Sequence, residues 1–89
     1  MRLLGNLLRS FVQHGTLRLY DAAGALHEFG DGDGSAHVTL RLHSKAVERR
    51  LFFNPELAAA EAYMDGTLTC EAGSTIYDLL FLFSINRSA

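Results

Sequence analysis

Residues 55–73 read PELAAAEAYMDGTLTCEAG, and along this stretch the hydrophobic period changes from that of a helix to that of a strand. Pro55 suits the first position of a helix, where its missing N–H leaves no bond unmade. Leu57, Ala58, Glu61, Ala62 and Met64 lie on successive turns, and Gly66 stands where a left-handed residue ends such a helix. Thr67 to Glu71 is short and β-favouring, and Gly73-Ser74 turns the chain into a further helix. Helix, strand and helix in immediate succession point to an α+β fold. The same stretch poses a question, because Glu61 and Asp65 sit one turn apart near a helix end. Like-charge repulsion and the helix dipole each disfavour that arrangement by roughly a few tenths of a kcal/mol. Either both acids are solvated and Tyr63 and Met64 are ordinary core, or the acids meet something outside the helix, such as backbone amides of the following turn.

Working outward toward the amino end, Ser44 offers an N-cap and Glu48 a capping-box-like partner for a helix carrying Val47, Leu51 and Phe52, broken at Asn54-Pro55. Before it, Thr16 to Tyr20 alternates as a half-buried strand does. Asp21-Ala22-Ala23-Gly24 supplies a turn, and Ala25 to Phe29 is a second extended run. After the glycine-rich link Gly30-Asp31-Gly32-Asp33-Gly34, Val38, Leu40 and Leu42 alternate with polar residues in a third strand. These three strands read as an antiparallel meander, and Thr67 to Glu71 brings the expected antiparallel sheet to about four strands. Helices are expected at both ends and between strands three and four. The first, with Leu3, Leu4, Leu7, Leu8, Phe11 and Val12 on one stripe, is expected to close at Gly15. The last runs from Thr75 to Asn86, capped by Ser74, and is apolar nearly all round. Its consecutive Phe81, Leu82 and Phe83 point about 100° apart. They cannot share one core-facing stripe, and we take them as an apolar interaction surface.

The composition bounds what such a fold can do. Eighty-nine residues, 48% of them hydrophobic, make one small domain spanning 1–89 with a single core. Cys70 is the only cysteine, so no internal disulfide or multi-cysteine metal site can form, which fits a reducing, cytoplasmic setting. Gly5, Asn6, Arg9, Gln13 and His14 interrupt the Leu-rich amino end, which reads as neither a signal peptide nor a membrane span. Charge is unevenly placed. Residues 1–50 hold seven of the eight Lys and Arg, whereas residues 51–86 hold Glu56, Glu61, Asp65, Glu71 and Asp78 and no Lys or Arg. Either this is a solvated surface, or each half faces a partner of opposite sign.

Familiar chemistry is mostly excluded. Asp31 and Asp33 resemble the start of a calcium loop, but Leu42 occupies the place of its closing acid. His14, His27, His37 and His43 are scattered without metal-ligand spacing, and Cys70 has no histidine beside it in the sequence. The glycine-rich segment precedes a strand and lacks the lysine of a phosphate cradle. We expect no catalytic residue, metal or cofactor in this chain. Arg41, Lys45, Arg49 and Arg50 form a basic cluster that either holds lipid phosphate head groups, at about 1 kcal/mol per charge, or is neutralised by Glu28, Glu48 or the acidic half. Nucleic acid is not expected, since the net charge is −2 and aromatic residues are not interleaved with the basic ones.

The order of parts, from GTLRLYDAAGALHEFGDG through HVTLRLHSKAVERRLFFNPELAAAEAYMDGTLTCEAGSTIYDLLFL, resembles the amino-terminal domain of the cyclopropane-fatty-acyl-phospholipid synthase family. Its most specific element is EAYMDG, followed by a strand, an acid-Ala-Gly turn and an apolar helix. The resemblance implies a sterol-carrier-like module that precedes a much larger methyltransferase domain, which uses S-adenosylmethionine to modify acyl chains of membrane phospholipids. That domain is absent from these residues, so no catalytic residue is carried over. What is carried over is the motif Glu61, Tyr63, Met64, Asp65 and Gly66. The implied role is non-catalytic: docking to the methyltransferase domain and contact with phospholipid or a membrane surface, peripheral at the inner face. Self-association as a homodimer is a further expectation, and a free-standing lipid-binding or protein-interaction module is the alternative.

Overall fold

The computed structural model describes residues 1–32, 34 and 36–87. Asp33 of the calcium-like segment lies outside them. The order of elements is α1 (Arg2–Phe11), β1 (Thr16–Tyr20), β2 (Leu26–Gly30), β3 (His37–Leu42), α2 (Lys45–Phe53), α3 (Pro55–Asp65), β4 (Leu68–Glu71) and α4 (Ile76–Arg87). The α+β class is as expected, with four strands and four helices.

The strand order corrects the expected meander. It is β2-β1-β3-β4, with β1 antiparallel to β2 but parallel to β3, so the sheet is mixed. β3 is antiparallel to β4. The chain leaves β2 and crosses the start of β1 to reach its other side. Two glycines make the crossing possible. Gly30 has φ of +107°, and a Cβ there would lie 2.0 Å from the Gly15 carbonyl oxygen. Gly15 is likewise no helix cap: α1 ends at Phe11 with Val12 closing onto the Leu8 carbonyl, and Gly15 instead sits against Ala36 and Leu82.

Leu17, Leu19, Val38, Leu40, Leu42 and Leu68 are buried on one sheet face. Leu4 and Leu8 of α1, Val47 and Leu51 of α2, Ala58, Ala59 and Ala62 of α3, and Leu79, Leu82 and Phe83 of α4 complete the same core. The small alanines let α3 approach closely. The other sheet face is polar, carrying the ion pairs Arg18–Glu28 at 3.2 Å and Arg41–Glu71 at 2.9 Å.

Two caps differ from expectation. Ser44 does cap α2, accepting the Ala46 N–H, but Glu48 forms no capping box. Its carboxylate accepts the Ala22 N–H at 3.0 Å and pairs with the Met1 ammonium at 3.2 Å, tying the β1–β2 turn to α1 and α2. Ser74 accepts the Thr39 N–H, while Thr75 and Asp78 cap α4 reciprocally, each side chain accepting the other's N–H. No helix among the described residues is long and apolar enough to cross a membrane.

Candidate functional site

The motif lies on the last turns of α3. Gly66 has φ of +84° and donates its N–H to the Ala62 and Tyr63 carbonyls, as a left-handed helix stop does. Asp65 turns out of the helix, and its Oδ1 accepts both the N–H and the hydroxyl of Thr67. Those bonds, the hydroxyl first, hold its carboxyl below the usual carboxylate range, and Arg50 adds to this from 3.6 Å. One of the two unfavourable acids thus shapes the entry to β4. Glu61 has no such role: it is exposed, and its carboxylate has neither hydrogen bond nor ion pair among the described residues. Tyr63 and Met64 are exposed too, Met64 at 84% of its surface.

The basic cluster is divided by the fold. Arg41 stands on the polar sheet face, bound to Glu71 and lying over the Tyr20 ring at 4.3 Å from its centroid. The Glu71 bond raises its pKa, and Arg41 in turn lowers that of Glu71. Arg50 is turned toward Asp65. Each of these two thus has an acidic partner, Arg41 on the neighbouring strand and Arg50 on the following helix. Lys45 and Arg49 have no ion pair among the described residues. With Arg2 they line a groove of about 460 Å³ between α1 and α2, which also holds the Met1–Glu48 ion pair and whose apolar lining includes Leu3, Leu4, Phe52 and Phe53.

The expected apolar surface on α4 is also divided. Leu82 and Phe83 are buried in the core, with the Phe83 ring 5.7 Å from that of Phe11, whereas Phe81 is half exposed beside Tyr77 and Leu80. Successive helical residues point in different directions, and the core takes only two of the three. Cys70 faces the core side of β4, paired in register with Leu40, and burial pushes its thiol pKa up. Among the described residues no group of His, Cys, Asp or Glu is placed to hold a metal ion.

Sequence reading missed the exposure of Phe53 and Leu57 on either side of Asn54. A signal for them exists, a four-residue step from Arg49 through Phe53 and Leu57 to Glu61. The Asn54-Pro55 break hid it by dividing the step between two helices. Arg2 was missed because it lies on the first helix, far in sequence from Lys45 and Arg49. What fold and surface define is a class: a small α+β domain with a mixed sheet and exposed apolar and basic patches. Comparison with known proteins returned no matching family, no matching characterised protein and no matching solved structure.

Proposed function

We propose that this chain is the non-catalytic amino-terminal module of an S-adenosylmethionine-dependent cyclopropane-fatty-acyl-phospholipid synthase, where it docks to the catalytic methyltransferase domain and contacts lipid at the inner face of a membrane. The observation that supports it is the exposure of Tyr63 and Met64 within the EAYMDG motif. Neither side chain belongs to this domain's own core, which leaves both open to being covered by another surface. Covering a large apolar side chain is worth roughly 1.5–3 kcal/mol. Calorimetric titration of a separate methyltransferase domain of that family with the 89-residue chain tests the reading. Saturable binding weakened about tenfold by Met64→Lys is expected; no binding, or binding indifferent to that change, overturns it.

A second reading, a free-standing module for anionic lipid, is favoured by the groove that Arg2, Lys45 and Arg49 rim. It expects co-sedimentation with vesicles only when they carry anionic phospholipid, and loss of that binding as salt is raised. Vesicles left unbound by the chain at low salt would remove it.

A further inference from the structure

Helices α2 and α3 meet at Asn54, and the four-residue step through that junction carries one chemical pattern. Arg49 and Phe53 stand a turn apart on α2, and Leu57 and Glu61 stand a turn apart on α3. All four line a single cleft of about 290 Å³, together with Arg50, Asn54 and Ala58. Phe53 is 78% exposed and Leu57 55%. The flanking charges are of opposite sign, and neither Arg49 nor Glu61 has an ion-pair partner among the described residues. The neighbouring Arg50 is already turned to Asp65.

Such a patch is complementary to itself. Turned through a half rotation, it sets Arg49 of one copy against Glu61 of the other, twice, while Phe53 and Leu57 pack about the axis. Because its free charges cancel, an anionic surface gains little from it, and a strongly charged partner would leave one of the two ends facing a like charge. We infer that this cleft is the interface of a two-fold homodimer. The inference goes beyond the docking role and holds whether or not a catalytic domain is present. The patch is small, so the dimer belongs at the weak end of specific association, with a dissociation constant on the order of tens of micromolar.

The test is sedimentation equilibrium of the 89-residue chain over about two decades of concentration spanning that value, alongside its binding to anionic vesicles. The wild-type mass is expected to double with concentration, and Arg49→Glu and Glu61→Arg are each expected to raise the dissociation constant by at least about tenfold. An equimolar mixture of the two variants should associate again, as should the double variant R49E/E61R, because each restores opposite charges across the axis. All four positions are solvent-facing, so unchanged melting curves are expected at concentrations well below the dissociation constant, and a loss of dimer will not be a loss of fold. The vesicle arm separates this from lipid binding, since Glu61→Arg adds positive charge and strengthens attachment to anionic lipid while weakening the dimer. A wild-type chain that stays monomeric, or a dimer indifferent to both charge reversals, overturns the inference. Loss of association in the single variants without recovery in the mixture overturns it as well.

Discussion

Asn86 and His14 are bonded in both directions: the Asn86 Oδ1 accepts the His14 N–H at 2.8 Å, and its Nδ2 donates to the His14 carbonyl at 2.9 Å. The same amide accepts the Gln13 N–H and donates to the Leu82 carbonyl. A side chain 4% exposed therefore has two bonds at each end and fastens the turn between α1 and β1 to the last helix. Asn86→Asp keeps the acceptors but removes both donors, leaving two carbonyls facing a carboxylate. We expect it to cost at least about 2 kcal/mol in urea unfolding, and more than Ser84→Ala on the exposed side of the same helix.

The crossing from β2 to β3 makes Gly30 the most sensitive glycine. Gly66→Val should cost about 1–2 kcal/mol, because φ is positive there but the space around a new Cβ is open. Gly30→Ala meets the Gly15 carbonyl as well as the unfavourable φ, and should lower the melting temperature further than Gly66→Val despite its smaller side chain. Equal effects would place the Gly15–Gly30 contact in doubt.

Asp21 clamps the β1–β2 turn. Its Oδ1 accepts the N–H groups of Ala23 and Ala25, and its Oδ2 lies 2.8 Å from His27 Nε2. The His27 bond first, and then the backbone bonds, lower its pKa. A carboxyl lowered on folding adds stability above its unfolded value, about 3.9, and that stability is lost as pH falls through the lower folded value. The gap in unfolding free energy between wild type and Asp21→Asn should thus be full at neutral pH and narrow below about pH 4. A gap that stays constant down to about pH 2 would show that the charge contributes nothing.

Phe81 and Phe83 are the same residue type two positions apart and should behave oppositely. Phe83→Ala removes a ring from the core against Phe11 and is expected to cost about 3–5 kcal/mol. Phe81→Ala should stay within about 0.5 kcal/mol in the monomer. Thermal unfolding of both at low protein concentration measures the difference.

Local rules made several elements legible. The alternation of Thr16 to Tyr20 gives the bounds of β1, and Pro55 and Gly66 bracket α3, because each of these signals acts through the residue's own backbone or its nearest neighbours. Part of the candidate site was readable in the same way. Asp65 bonds to Thr67, two residues on, which is within the reach of a turn. Lys45 and Arg49 share a groove because one helical turn separates them.

The tertiary structure alone decided what depends on residues far apart in the chain. Glu48 looked like a cap from its spacing to Ser44, yet it is taken by Ala22, 26 residues away. Arg41 pairs with Glu71, 30 residues on, and the core accepted Leu82 and Phe83 but not Phe81. β3 lies beside β1 rather than β2, as a short glycine-bearing link allows the chain to cross one strand and the β1 backbone is then hydrogen-bonded on both edges. Periodicity records which way each side chain points from its own element. It carries no information about which other element arrives to meet it, and burial and ion pairing are settled by that arrival.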